Sequence, residues 1–267
     1  MIVILGTILF CAIFAPLITP YSPYEVILPS RFLPTAWEVG GSKAHIIGTD
    51  TLGRDLLTRI YYGARVSLTV SFLVLIFGGG IGLFLGILAG YARGWVETII
   101  MRTVDSFMAI PNILIALVFA MTLGPSMNTI ILALASVIWA RFARVTYGEV
   151  LALMKRDFIL QARVAGCSPL RIMFVHLIPN VFNTFMVMVS LNVGQIVLME
   201  ASLSFLGAGI PPPIPSWGQM VSEGREYITS AWWIALFPGL ALALTVLAFN
   251  QFGDWLRDRL DPKLRQL

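Results

Sequence analysis

The chain has 267 residues, 58% of them hydrophobic and 12% charged, and its mean hydropathy is +0.85. Soluble domains carry about 25% charged residues, so the composition excludes a water-soluble globular protein and indicates an all-α, polytopic membrane protein. The net charge of +4 follows from where the basic residues sit along the chain, and we do not read it as nucleic-acid binding.

Six segments are long and apolar enough to cross a hydrocarbon core about 30 Å thick, which takes about 20 helical residues: 2–19, 66–89, 99–123, 129–147, 181–206 and 231–252. The first has neither a basic flank nor a small-residue cleavage site. It is expected to be a membrane helix rather than a cleaved signal, and its missing basic leader suggests a start further upstream or an orientation fixed by other loops. The segment 20–65 is expected to be a small outer subdomain or a surface-lying helix. This divides the chain into 1–65 and a five-helix core at 66–267. Asp50, Arg54 and Asp55 are expected on an amphipathic helix whose apolar stripe is Leu52, Leu56 and Ile60. Asp50 would cap it and Arg54 and Arg59 would form surface pairs; contact with an external protein is the alternative.

Gly78 to Gly80, Pro111 and Pro238 fall inside spans, where close packing and local kinks accommodate them. Arg102 and Asp105, three residues apart in the third span, are expected to pair with each other. The uncharged stretch of the fourth span ends at Arg141, and its helix is expected to run on into a polar hairpin at 157–179. There Phe158, Ala162 and Ala165 give a first short helix one face. Gly166 suits a left-handed closing position. Ser168 and Pro169 form an N-cap followed by proline at the first helical position. Leu170, Phe174 and Leu177 give the second helix its face before Pro179 stops or kinks it.

In the fifth span Asn192, Gln195 and Glu200 mark a polar sector about 140° wide. A charge at that depth costs about 2.5–3.5 kcal/mol unless paired, protonated or near water. The sector either lines a pathway or is a hydrogen-bond cluster joining helices. The loop at 207–230, rich in proline, is expected to plug or rim the outer mouth, with Trp217, Trp232 and Trp233 as interfacial anchors. With both termini inside, twelve of the eighteen Lys and Arg fall on the inner side, Lys155, Arg156, Arg163, Arg171, Lys263 and Arg265 among them. The positive-inside rule then puts the hairpin in the cytoplasm. No nucleotide-binding loop, metal-ligand motif or nucleophile motif is present, His45 and His176 fall on opposite sides, and Cys11 and Cys167 are too far apart to bridge. No cofactor or metal is implied.

The hairpin resembles the EAA motif of binding-protein-dependent ABC importer permeases, with Ala162, Gly166, Ser168, Leu170 and Pro179 in register and the motif's usual glutamate falling on Leu160. The stretch HIIGTDTLGRDLLTRIYYGARVSL, with Gly48, Thr49, Asp50, Gly53, Arg54 and Asp55, is similar to the signature of that family's dipeptide, oligopeptide and nickel branch. So is EASLSFLGAGIPPPIPSWGQMVSEGREY at 200–227. The resemblance implies a type I permease fold and a subunit without enzyme activity in a bacterial or archaeal inner membrane. Its implied partners are a second permease, two cytoplasmic ATP-binding subunits, an external solute-binding protein and the lipid bilayer. The motif residues Ala162, Arg163, Ala165, Gly166, Ser168, Pro169, Leu170, Arg171 and Pro179 would couple to the ATPases. A stand-alone secondary transporter or channel is the alternative; it would be expected to show paired mid-membrane acids and inverted repeats.

Overall fold

The computed structural model describes residues 2–260. Met1, Lys263, Arg265 and the end of the 66–267 core lie outside the described residues. The first described element is α1 (Ile2–Ile18), an apolar helix that leads into irregular backbone up to α2. The only helical piece there is a short 3-10 turn, Leu28–Ser30.

The expected amphipathic helix around Asp50 is not formed. Residues 50–54 close a turn instead, with Asp50 N donating to Arg54 O at 3.1 Å and Gly53 N to Asp50 O at 3.1 Å. Gly53 takes φ +76°, and a Cβ there would lie 1.9 Å from Ile27 O, so close chain approach as well as conformation selects glycine. The helix starts one turn later, where the Asp55 carboxylate accepts from Thr58 N at 2.8 Å. Leu56 and Ile60 therefore belong to a membrane helix rather than a surface one. That helix, α2 (Leu56–Val74), passes through a π-turn at Leu75–Gly79 into α3 (Gly80–Ala92), making one 37-residue rod.

The third expected span is two helices. α4 (Gly94–Ala109) and α5 (Asn112–Leu123) meet at 90°. Pro111 crowds the helical conformation of the residue before it, and Ile110 is accordingly extended at φ −96°, ψ 135°. Asp105 pairs with Arg144 of the next helix, not with Arg102. That next helix, α6 (Met127–Leu153), starts at Ser126, whose hydroxyl accepts from Thr129 N at 3.0 Å. Gly78, Gly82, Gly86 and Gly90 form a ladder along the α2–α3 rod against α6: a Cβ at Gly82 would stand 2.5 Å from Phe142 Cβ, and one at Gly86 2.7 Å from Ala143 O. Backbones pack this closely in membranes because small residues permit it.

The hairpin comprises α7 (Asp157–Val164) and α8 (Pro169–Arg171). α8 runs through a second π-turn, Ile172–Leu177, into α9 (Ile178–Phe205). Pro179 does not stop this 37-residue rod, since it sits in the first turn of α9 just past the widened stretch, where a missing N–H is tolerated. The extra residue per turn also changes which side chains face inward. Ile172 and Leu177 are buried with Ile159 and Val150, whereas Leu170 and Phe174, expected on the packed face, are exposed. α10 (Trp217–Gly224) and α11 (Trp233–Leu260) follow as the last described helices.

Among the described residues, four rods are long and apolar enough to cross a membrane, the bent α4–α5 pair makes a fifth if it is one span, and α1 is a shorter apolar helix. α6 and α9 lie at the centre, where Ile130, Leu134, Phe142, Ile196 and Leu203 are fully buried.

Candidate functional site

The Asp50 motif folds into a compact buried charge cluster. Asp50 Oδ1 accepts from Leu52 N at 2.8 Å and Arg54 N at 2.9 Å. Its Oδ2 meets Arg54 Nε at 2.6 Å and Arg59 Nη1 at 3.0 Å. Glu223 of α10 closes the set, with Oε2 at 3.3 Å from Arg54 Nη2 and 3.4 Å from Arg59 Nη2. The surface pairs expected of Arg54 and Arg59 are thus buried pairs, and Asp50 anchors two arginines instead of capping a helix. Burial pushes the Glu223 carboxyl above its ordinary value; Arg54 opposes the shift and Asp50 adds to it.

The flanking motif residues hold this knot in place. Gly48 takes φ +86°, Thr49 O accepts from Trp233 Nε1 at 3.1 Å, and Asp55 Oδ1 lies 2.9 Å from His45 Nδ1. Trp217 is buried and its Nε1 donates to Ile60 O at 2.9 Å; Trp232 Nε1 donates to Glu38 at 3.2 Å. The three indole N–H groups tie residues 38–60 to the 217–233 region.

The polar sector of α9 divides. Glu200 is fully buried and accepts from Ser67 Oγ of α2 at 3.2 Å and from Ser204 Oγ at 3.0 Å. Its partners are within this chain. Gln195 accepts from Arg141 of α6. Asn192 donates to Met188 O at 2.7 Å, and its buried Oδ1 has no partner.

In the hairpin, Gly166 takes φ +76°, Cys167 N donates to Ala162 O at 3.0 Å, and Ser168 Oγ accepts from Arg171 N at 3.4 Å ahead of Pro169. Ala162 turns inward, while Arg163, Ala165, Ser168, Pro169, Leu170 and Arg171 face out. Arg163 lies over the Tyr91 ring at 5.8 Å. Among its charged residues the hairpin also exposes large apolar side chains: Val164 is 91% exposed, Leu170 64% and Phe174 56%.

Two residues escaped the sequence reading. Glu223 carries no local signal for its ion pairs, because Arg54 and Arg59 lie more than 160 positions away; its near partner is Gln219, whose Nε2 donates to it at 3.0 Å. Arg141 was legible as a lone charge in an apolar run, but marked the end of a span instead of the wall of a cavity.

Residues 82–266 match the family described as binding-protein-dependent transport system inner membrane component. The chain is 46% identical over 259 residues to the dipeptide transport system permease protein DppC of Escherichia coli K12, covering 97% of this chain and 86% of that protein. It is 40% identical over 258 residues to the di/tripeptide transport system permease protein DppC of Pseudomonas aeruginosa, with coverage of 97% and 85%. It is 41% identical over 264 residues to a putative peptide transport system permease protein of Brucella suis, with coverage of 99% and 87%. Among solved structures, an inward-facing form of the MetNI methionine ABC transporter shares the fold at TM-score 0.61 and 19% identity, over 77% of this chain and 96% of that one.

Proposed function

This chain belongs to the family of binding-protein-dependent transport system inner membrane components, and from that premise we propose that it serves as the C-type permease of an importer of dipeptides or short oligopeptides. A permease subunit of an ABC importer has no chemistry of its own, and ATP is hydrolysed in separate subunits. The peptide assignment is supported by relatives such as the dipeptide and di/tripeptide permeases. A second permease completes the pathway against the apolar groove of about 1100 Å³ between α1, α2 and α9. A solute-binding protein docks on the outer face near the Asp50 turn, and the chain crosses with both termini and the hairpin in the cytoplasm. Glu200 acts as an internal tie between α2 and α9 more than as a pathway wall.

The observation that carries the reading is the hairpin's exposed apolar side chains at Val164, Leu170 and Phe174, beside a turn from which Pro169–Phe205 runs on as one rod into the membrane. Large exposed apolar side chains on a charged cytoplasmic element mark a protein contact. A lever that is one rod with a membrane helix passes motion inward without bending.

The test is ATPase activity of the reconstituted complex with and without peptide-loaded binding protein. Val164→Asp and Leu170→Asp lie on the exposed surface and should leave the subunit folded while abolishing most of the stimulation. Wild-type stimulation in both variants would remove the hairpin as the coupling element.

A further inference from the structure

Among the described residues, no carboxylate answers the positive charge of Arg141. It lies about 18 Å along α6 from Thr129, and its partner Gln195 lies about 15 Å along α9 from Phe205, at about 1.5 Å per residue. In a core about 30 Å thick both estimates put the guanidinium near the middle. One turn further along α6, Arg144 is paired with Asp105. Among the described residues, no Asp or Glu lies within salt-bridge distance of Arg141. Its only side-chain partner is the neutral Gln195 Oε1, which fixes the guanidinium and leaves its charge and other N–H groups available. An unpaired charge at this depth is expensive, and such groups face water-filled cavities or substrate paths.

A cavity is present. Arg141, Val137 and Ile138 form one wall of a space of about 390 Å³, and the elbow of the α4–α5 pair, Phe107 to Asn112, forms the other. The volume falls within the roughly 300–1,000 Å³ of small-molecule sites. The 90° bend frees the last carbonyls of α4 and the first N–H groups of α5 from helical partners. Irregular backbone at membrane depth persists only where it is buried in protein or lines a wet cavity. No acidic side chain lines the space, so its field is positive.

We infer that the elbow cavity is a carboxylate site on the translocation pathway, in which Arg141, held by Gln195, receives the C-terminal carboxylate of the passing peptide. The peptide identity rests on the importer reading above; the preference for an anion does not. The planar guanidinium suits two-point recognition of a carboxylate. Because every peptide ends in a carboxylate whatever its side chains, such a site would hold peptides without selecting among them.

The test places a single thiol in the cavity wall, Met108→Cys, with Cys11 and Cys167 replaced by Ser, in the reconstituted complex. Labelling rates are compared for thiosulfonate reagents bearing a sulfonate and a quaternary ammonium, each rate divided by that reagent's rate with a small free thiol in the same buffer. The sulfonate should react faster, and the rate ratio should fall about tenfold in Arg141→Gln, the effect of one unit charge at close range in a partly shielded site. Arg141→Lys should keep the ratio. Dialanine should slow labelling more than dialanine amide does. Equal rates for the two reagents with Arg141 in place would overturn the site without any variant at that position, and equal protection by dialanine and its amide would overturn its assignment to a solute carboxylate. If the parent complex takes up no peptide while the sulfonate preference and its loss in Arg141→Gln persist, the importer reading fails and the anion site stands.

Discussion

Asp50 makes four polar contacts from two oxygen atoms, two to backbone N–H groups and two to the guanidinium groups of Arg54 and Arg59. Glu223 stands further from the same arginines and is partly open to solvent. The two acids should therefore respond differently to neutralisation. Asp50→Ala leaves two buried cations sharing the more distant, partly exposed Glu223; breaking a buried pair typically costs about 3–5 kcal/mol, so it should lower the thermal midpoint of the purified complex sharply. Glu223→Gln keeps an acceptor for the arginines and removes a carboxylate whose ionised form burial disfavours. An acid with a raised pKa in the fold is destabilising above that pKa, and the penalty disappears as pH falls through it toward the unfolded value. Glu223→Gln should thus match or exceed the parent in thermal midpoint at pH 8, with the difference closing as pH drops through the acidic range. A larger loss for Glu223→Gln than for Asp50→Ala would reverse the assignment of anchor and outer partner.

Among the elements, the α2–α3 rod and α6 make the tightest joint, along the glycine ladder at 78, 82, 86 and 90. Gly86→Leu would put its side chain where Ala143 O and the Thr146 side chain already lie within 3.0 Å of a bare Cβ. Overpacking of this kind costs about 1–3 kcal/mol or more. Gly94, with open space around it but φ +62°, is a poor control; Gly80, helical and free of neighbours, is a good one. Gly86→Leu should reduce the yield of folded subunit on size-exclusion chromatography, and Gly80→Leu should not. These joints also explain what could be read in advance. The hairpin turn was legible because Gly166, Ser168 and Pro169 act on their immediate neighbours. Its packed face was misjudged because a 3.6-residue period cannot anticipate the π-turn at Ile172–Leu177. The break at Pro111 was locally marked, but its 90° angle depends on how α5 lies on α6. The stripe Leu52, Leu56 and Ile60 had helical spacing, and the tight approach of Gly53 to Ile27 overrode its first turn.

At the scale of the whole molecule, the two ends treat charge differently. On one, Arg54 and Arg59 are buried and paired with acids. On the other, Lys155, Arg156, Arg163 and Arg171 are exposed, with no partner carboxylate within salt-bridge distance among the described residues. Exposed Lys and Arg near an anionic cytoplasmic leaflet gain about 1 kcal/mol each, and retention of basic loops fixes orientation. Both effects favour the hairpin inside. Labelling with a membrane-impermeant thiol reagent checks this, provided that the probe sites are exposed and outside the caps. Ser216 fails that condition, being fully buried and the N-cap of α10, whereas Ser230 and Lys155 are exposed. With Cys11 and Cys167 replaced, Ser230→Cys should react in intact cells, and Lys155→Cys only after the membrane is opened. Because the one rod between these positions, Pro169–Phe205, runs unbroken for 37 residues, a single inverted result cannot be absorbed by a local rearrangement. Reaction of Lys155→Cys from outside would turn the whole bundle over, placing the hairpin beyond the reach of any cytoplasmic ATPase.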